Sequence, residues 1–230
     1  MSELWFTRAR LRRSGSAAAL APLLAEPGRL DQGHAVVWSL FADAPGRRRD
    51  FLWRETERGL FYLLSARVPV DAHQLFDMDP PKSFSPRLTA GCRLRFSLHA
   101  NPVVRRGTAE ARPGGKGNRV RKDDVIMNAI KPLPKGQRAA ARFDAIGEAG
   151  RAWLQGQGKK AGFLFDPREV VVEGYAEAEV RRRGRPIRFH TIDFDGRLTV
   201  TDPVAFTTAL AKGFGSARAF GCGLMLIRRA

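Results

Sequence analysis

Nine residues, Arg93 to Asn101, constrain the fold more than any other stretch of this chain. Leu94, Phe96 and Leu98 alternate with Arg93, Arg95, Ser97 and His99, the period of two expected of a strand with one buried and one polar face. A slip of one residue would turn all three apolar side chains to the wrong side, so the register of this strand is strongly specified. Its apolar face needs a second layer, and its polar face carries cations.

The flanking segments supply that layer. Leu4–Arg12 reads as a strand, followed after a Ser/Ala/Pro/Gly-containing connection by a helix near Gln32–Phe41. Strands follow at Phe51–Glu55 and Gly59–Val68, and the proline-bearing path from Pro69 to Pro86 reads as a surface linker with one turn of helix. Past Arg93–Asn101 comes a helix near Arg138–Gln155, a strand at Glu169–Ala178, and strands at Phe189–Asp195 and Arg197–Val200. Asp202 caps a last helix with Pro203 at its first position, and the apolar run Leu224–Ile227 closes the chain. The order β-α-β-β, a linker, then β-α-β-β-α-β fits an α+β fold of two tandem ferredoxin-like (βαββαβ, RRM-like) domains, at 1–90 and 91–230.

Charge narrows the function. Among 230 residues, 40 are Lys or Arg against 23 Asp or Glu, a formal net charge of +17, while 43% apolar residues suffice for a proper core. A polyanion is therefore the expected partner, and RNA or DNA fits better than an anionic membrane. No apolar run approaches the roughly 18 residues of a spanning helix. Arg8 to Arg13 followed by Ala17–Ala25 imitates an export signal, but the strand pattern of Leu4–Arg12 argues against one. Cys92 and Cys222 show no metal or redox spacing, so two buried thiols in a reducing cytoplasm are expected.

The basic residues fall into four groups. Arg93 and Arg95 sit on the polar face of the alternating strand. Arg105, Arg106, Lys116, Arg119 and Arg121 belong to a glycine-rich, nearly apolar-free stretch ending at Lys122, which should stay mobile until an anion orders it. Arg181, Arg182, Arg183, Arg185 and Arg188 crowd the tip of a predicted β-hairpin, narrow enough to enter a groove, with guanidinium forks that match phosphates and guanine edges. Finally, Lys212 and Arg218 flank a loop with Gly213, Gly215, Gly221 and Gly223, where bare backbone N–H groups and Ser216 suit a phosphate.

None of the four histidines, His34, His73, His99 and His190, pairs with other ligands at metal spacing, so neither metal nor cofactor is expected. Asp31 as N-cap would place His34 in the first helical turn, on the stripe of Val37, Trp38 and Phe41. There the helix N-terminus disfavours imidazolium and leaves a proton-accepting ring. The same position also suits a half-buried histidine at the edge of a core face.

Four stretches together resemble the CasE family, the endoribonucleases that process precursor guide RNA in type I-E CRISPR systems. They are Gln32–Phe41 with Arg49–Arg54, Arg93–Pro102, Lys116–Val120, and Phe194–Val200 with the glycine-rich loop. The resemblance implies metal-independent cleavage of a repeat RNA at the 3′ base of its hairpin. It also implies His34 as general base toward the 2′-hydroxyl, leaving a 2′,3′-cyclic phosphate. By the same resemblance the arginine hairpin enters the stem-loop's major groove, the glycine-rich loop binds RNA, and the protein keeps its guide RNA as a subunit of Cascade. One position departs from the pattern. The family commonly has a tyrosine where Asp31 stands, and an ionised carboxylate cannot donate to the leaving oxygen. Asp31 is left to cap the helix or hold the His34 ring, and a Lys or Arg near the loop to serve as donor. A non-catalytic basic RNA-binding protein is the alternative. A two-histidine phosphoesterase is set aside, since His190-Thr191 lacks the residue a His-x-Thr motif needs.

Overall fold

A computed structural model of the chain describes residues 3–12, 29–42, 47–107, 120–182 and 185–230. Strand β1 (Trp5–Leu11) buries Thr7 and Ala9 and exposes Arg8 and Arg10. Helix α1 (Arg29–Trp38) follows, then the hairpin of β2 (Phe51–Glu57) and β3 (Leu60–Ser65). Val36, Val37, Leu40 and Phe41 from α1 and its 3-10 extension pack on Ala9, Phe51, Trp53, Phe61 and Leu63, forming one buried cluster. The proline-bearing path supplies no helix. It supplies β4 (Phe76–Met78) and β5 (Lys82–Ser83), both paired with β1 in the antiparallel order β2-β3-β1-β4. A turn leads into β4, in which Asp71 accepts hydrogen bonds from the N–H groups of Leu75 (3.0 Å) and Phe76 (2.8 Å). That turn seats both side chains in the core.

The second half starts from β6 (Arg93–Ala100), whose burial alternates as its sequence does, with Leu94, Phe96, Leu98 and Ala100 inside. Strands β7 (Val103–Gly107) and β8 (Val120–Asp124) form a two-stranded ribbon. The basic stretch is therefore strand at both ends rather than irregular throughout, and residues 108–119 lie outside the described set. Asp124 anchors the ribbon by accepting the Met127 N–H at 2.8 Å as N-cap of α2 (Val125–Ile130). Helix α3 (Arg142–Ala161) then crosses the sheet closely. A methyl at Gly150 would lie 2.7 Å from Val172 Cγ1.

Beyond β9 (Phe163–Leu164), the long strands β10 (Val170–Arg182) and β11 (Arg185–Val200) form the hairpin, and helix α4 (Pro203–Lys212) leads back to β12 (Met225–Arg229). The sheet order is β10-β11-β6-β12. Strand β11 runs unbroken where two strands about Gly196 were expected. Gly196 pairs with Val170 on one side and Phe96 on the other, and a methyl there would lie 2.9 Å from Val170 Cγ2. This glycine marks a close approach, not a turn. Asp202 caps α4 as read from the sequence, accepting from Val204 N–H (3.0 Å) and Ala205 N–H (2.9 Å). Leu98, Leu154, Ile192, Phe194, Leu198, Phe206 and Leu210 are at most 2% exposed, and burying each such side chain stabilises by roughly 1.5–3 kcal/mol.

The two halves meet through the sheet faces turned away from their helices. Leu52 and Leu64 pack with Leu224, bordered by Phe6, Tyr62, Phe84 and Leu226. Beside them Arg54, 9% exposed, lies 3.6 Å from Asp193, whose carboxylate also meets His99 Nδ1 at 2.8 Å. Burial holds the Arg54 guanidinium below its ordinary range, with Asp193 and Asp195 pulling the other way. Among the described residues no helix is long and apolar enough to cross a membrane.

Candidate active site and nucleic-acid interface

His34 owes its position to Gly33. A methyl at Gly33 would lie 2.8 Å from Trp53 Cη2, so this bare backbone lets α1 settle on the indole and turns the next residue outward. His34 is half-buried, its ring centroid 5.9 Å from Trp38 and 5.8 Å from Phe220. It thus occupies the edge of the apolar stripe, as expected. The capping argument does not hold. Helix α1 begins at Arg29, which makes Asp31 its third residue and His34 its sixth, beyond the first turn where the dipole acts. The Asp31 side chain lies outside the described set.

Phe220 reaches His34 because the glycine-rich loop is tied to both halves. Gly213, Gly215, Gly221 and Gly223 all take positive φ, between 74° and 90°, which their lack of Cβ permits. Ser216 N–H donates to Asn101 O (3.2 Å), Gly223 N–H to His99 O (2.7 Å) and Phe214 N–H to Gly223 O (2.9 Å). Several N–H groups expected to be bare are therefore already used, two fastening the loop to the end of β6 and one closing the loop on itself. From the other half, Trp53 Nε1–H donates to Ala219 O (3.0 Å), and Arg49 Nη1 donates to Arg218 O (2.8 Å) and Phe51 O (2.7 Å). Burial first, and repulsion from Arg218 second, hold Arg49 below the ordinary guanidinium value. An anion beside the pair would relieve that repulsion.

The loop and the base of the arginine hairpin enclose a cleft of about 560 Å³, with Arg49, Arg188, Phe189, His190, Ser216, Arg218 and Phe220 in its walls. Phe189 stacks on Phe220 at 5.8 Å, so a continuous aromatic contact runs from His34 to the hairpin. His190 stacks on Tyr175 at 4.9 Å, and Asp124 accepts the Tyr175 hydroxyl at 3.1 Å and lies 3.4 Å from His190 Nδ1. Burial, then the Asp124 charge, pushes the Tyr175 phenol well above its usual value.

The other expected site residues divide by location. Arg188 is exposed at the cleft but donates to Glu179 at 2.7 Å. Arg181, Arg182 and Arg185 extend the hairpin beyond it, with Arg182 opposite Arg185; their side chains lie outside the described residues, as does Arg183 altogether. Arg105, Arg106 and Arg121 stand on the β7-β8 ribbon, with Arg106 opposite Arg121. Their side chains, and Lys116 and Arg119 entirely, are likewise outside. Lys212 is exposed at the end of α4, and its carbonyl accepts from Arg218.

Arg93 and Arg95 are not at the cleft. They start β6 while Asn101 follows its far end, a separation of roughly 20–25 Å along a strand. They face the inter-sheet side, where Arg93 meets Glu169 at 3.6 Å. Sequence reasoning missed Trp53, Phe189, Phe220 and the Asp124–Tyr175–His190 cluster as parts of the site. No local pattern joins residues so far apart in the chain. Cys222 is buried, and burial raises its thiol to about 12; Cys92 is only half-buried.

Fold and site together define a two-sheet α+β protein in which a half-buried histidine packs against Phe220, itself in the wall of an arginine-bearing cleft. The chain belongs to the family described as "CRISPR associated protein", whose profile matches residues 4–229. It is 30% identical over 202 residues to the CRISPR system Cascade subunit CasE of Escherichia coli strain K12, spanning 85% of this chain and 90% of that one. It is also 30% identical over 191 residues to the CRISPR-associated endoribonuclease Cse3 of Thermus thermophilus, spanning 79% and 81%. The fold matches a CRISPR endoribonuclease Cse3 bound to a 19-nucleotide RNA with a TM-score of 0.67, covering 99% of both chains at 23% identity.

Proposed function

We propose that this protein is a metal-independent endoribonuclease that recognises a CRISPR repeat stem-loop, cleaves at its 3′ base and keeps the processed guide RNA as a Cascade subunit. The observation that carries the reading is the seam at His34, where Phe220 of the glycine-rich loop and Phe189 of the basic hairpin's base converge. His34 takes the proton of the ribose 2′-hydroxyl, and the oxygen so freed attacks the adjacent phosphorus. The bond to the 5′ oxygen breaks, leaving a 2′,3′-cyclic phosphate and, once that oxygen gains a proton, a 5′-hydroxyl. Arg49, Arg188 and Arg218 face the cleft and offset the charge gathering on the phosphate oxygens.

The hairpin tip, Arg181 to Arg185, is assigned to the stem's groove and the loop to the backbone. Retention in a multi-subunit complex rests on the relative named as a Cascade subunit. The two halves are read as tandem ferredoxin-like units at 1–90 and 91–230. The order β10-β11-β6-β12 with helices after β6 and β11 supports this for the second; the first has the same strand order, with β4 reached without a helix among the described residues.

His34→Ala should lower cleavage of the cognate repeat RNA by about 10²–10⁴-fold while leaving its affinity near wild type. Cleavage in EDTA, with product ends mapped for the cyclic phosphate, tests the chemistry. An unchanged rate in His34→Ala would remove the catalytic role of that residue, and no cleavage by the unaltered protein would leave only an RNA-binding protein.

A further inference from the structure

A second cleft, of about 510 Å³, opens behind the glycine-rich loop between that loop, β7 and α3. It adjoins the cleft beside His34, since Val103 and Ser216 line both. Among the described residues no carboxylate lines it; Lys160 and Gln157 reach it from α3 and Ser216 from the loop. Trp153 forms part of its wall and carries an unexplained donor. The residue is 6% exposed, and its indole Nε1 has no hydrogen-bond partner. A buried donor left unmade is costly, and the ring is not free to turn away, because it stacks on Phe194 at 5.6 Å. The loop backbone is held against the nitrogen-bearing side of the indole. A methyl at Gly215 would lie 3.3 Å from Trp153 Cζ2 and 2.7 Å from Asn101 O. An oxygen anion fits a wall with an orphan N–H, a hydroxyl and an ammonium.

We infer that this cleft holds a phosphate of the RNA strand continuing past the bond at His34, with Trp153 Nε1–H and the Ser216 hydroxyl as donors and Lys160 as counter-charge. The inference rests on the RNA-processing reading and extends its footprint behind the loop. Phosphodiester and free phosphate share the chemistry, and continuity with the first cleft favours the strand.

The test compares stem-loop RNAs with and without single-stranded nucleotides 3′ of the cleavage position, each carrying a 2′-deoxy nucleotide at that position to prevent cutting. In wild type the extended RNA should bind more tightly than the trimmed one. In Trp153→Phe and Lys160→Gln the ratio of the two affinities should fall about tenfold or more, as expected for loss of one charge-assisted hydrogen bond. The Trp153 indole ¹H–¹⁵N resonance, assigned by its absence in Trp153→Phe, should shift with extended RNA and not with trimmed RNA. Lys160 is exposed, so Lys160→Gln keeps the test valid if the indole variant folds poorly. An unchanged ratio in Lys160→Gln overturns the proposal, as does a resonance that responds equally to inorganic phosphate. Loss of cleavage in His34→Ala alongside an unchanged ratio would sink this inference alone; the reverse pattern would sink the cleavage reading.

Discussion

At the residue scale, Trp53 does more than fill the core. It is 1% exposed, sets the depth of α1 through Gly33, and holds Ala219 by its Nε1–H. Trp53→Phe removes that hydrogen bond and opens space beside Gly33 and Gly221, so a loss of about 2 kcal/mol is expected. Cleavage should fall as well, because Phe220 loses the anchor of its neighbour; thermal denaturation and single-turnover rates check the two effects. Cys222 makes a pH prediction. Its thiol is raised from 9.0 to about 12, chiefly by burial, with Asp193 adding to the rise and Arg54 opposing it. The folded state therefore holds this proton where the unfolded chain releases it. The stability so contributed is fully present below pH 9.0 and is lost progressively as pH rises toward about 12. Melting temperatures above pH 9 should decline less steeply in Cys222→Ala, measured against its own value at pH 7. The Cys222 thiol should also resist alkylation at neutral pH until the protein unfolds.

Elements were legible to the degree that their signals are local. The alternation in β6 and the Asp202–Pro203 start of α4 depend on neighbours within a few residues, and both stand as read. Asp202→Ala should cost about 0.5–2 kcal/mol, seen as a lowered unfolding midpoint with an unchanged slope in urea. Four elements differed for reasons that are not local. Strands β4 and β5 form because β1 offers an edge to pair with. Strand β11 runs through Gly196 because partners on both sides complete its ladder. Helix α1 starts before Asp31, so the short polar residue that looks like a cap is internal.

For the whole molecule, the decisive feature is that two sheets turn their helix-free faces together. Arg54 and Asp193 come from different halves, and this contact, with the Leu52–Leu64–Leu224 cluster, fixes the relative placement of α1 and the glycine-rich loop. Arg54→Ala leaves Asp193 with His99 among the described residues. Because Asp193 keeps partial exposure, a loss of about 2 kcal/mol is expected, below the full penalty for breaking a buried pair. Cleavage should fall further than stability accounts for, as the seam at His34 loosens. Urea denaturation paired with cleavage rates under conditions where the variant is folded would separate the two.

The sequence by itself determined the strand and helix character of most segments and the strongly cationic character, because periodicity, caps and charge are carried by residues close together in the chain. Only the tertiary structure decided that His34 meets Phe220, that Phe189 joins them, and that Arg93 and Arg95 lie a strand's length from the cleft. Such meetings depend on how two sheets pack and where a loop is tied, and packing is set by side chains more than a hundred residues apart.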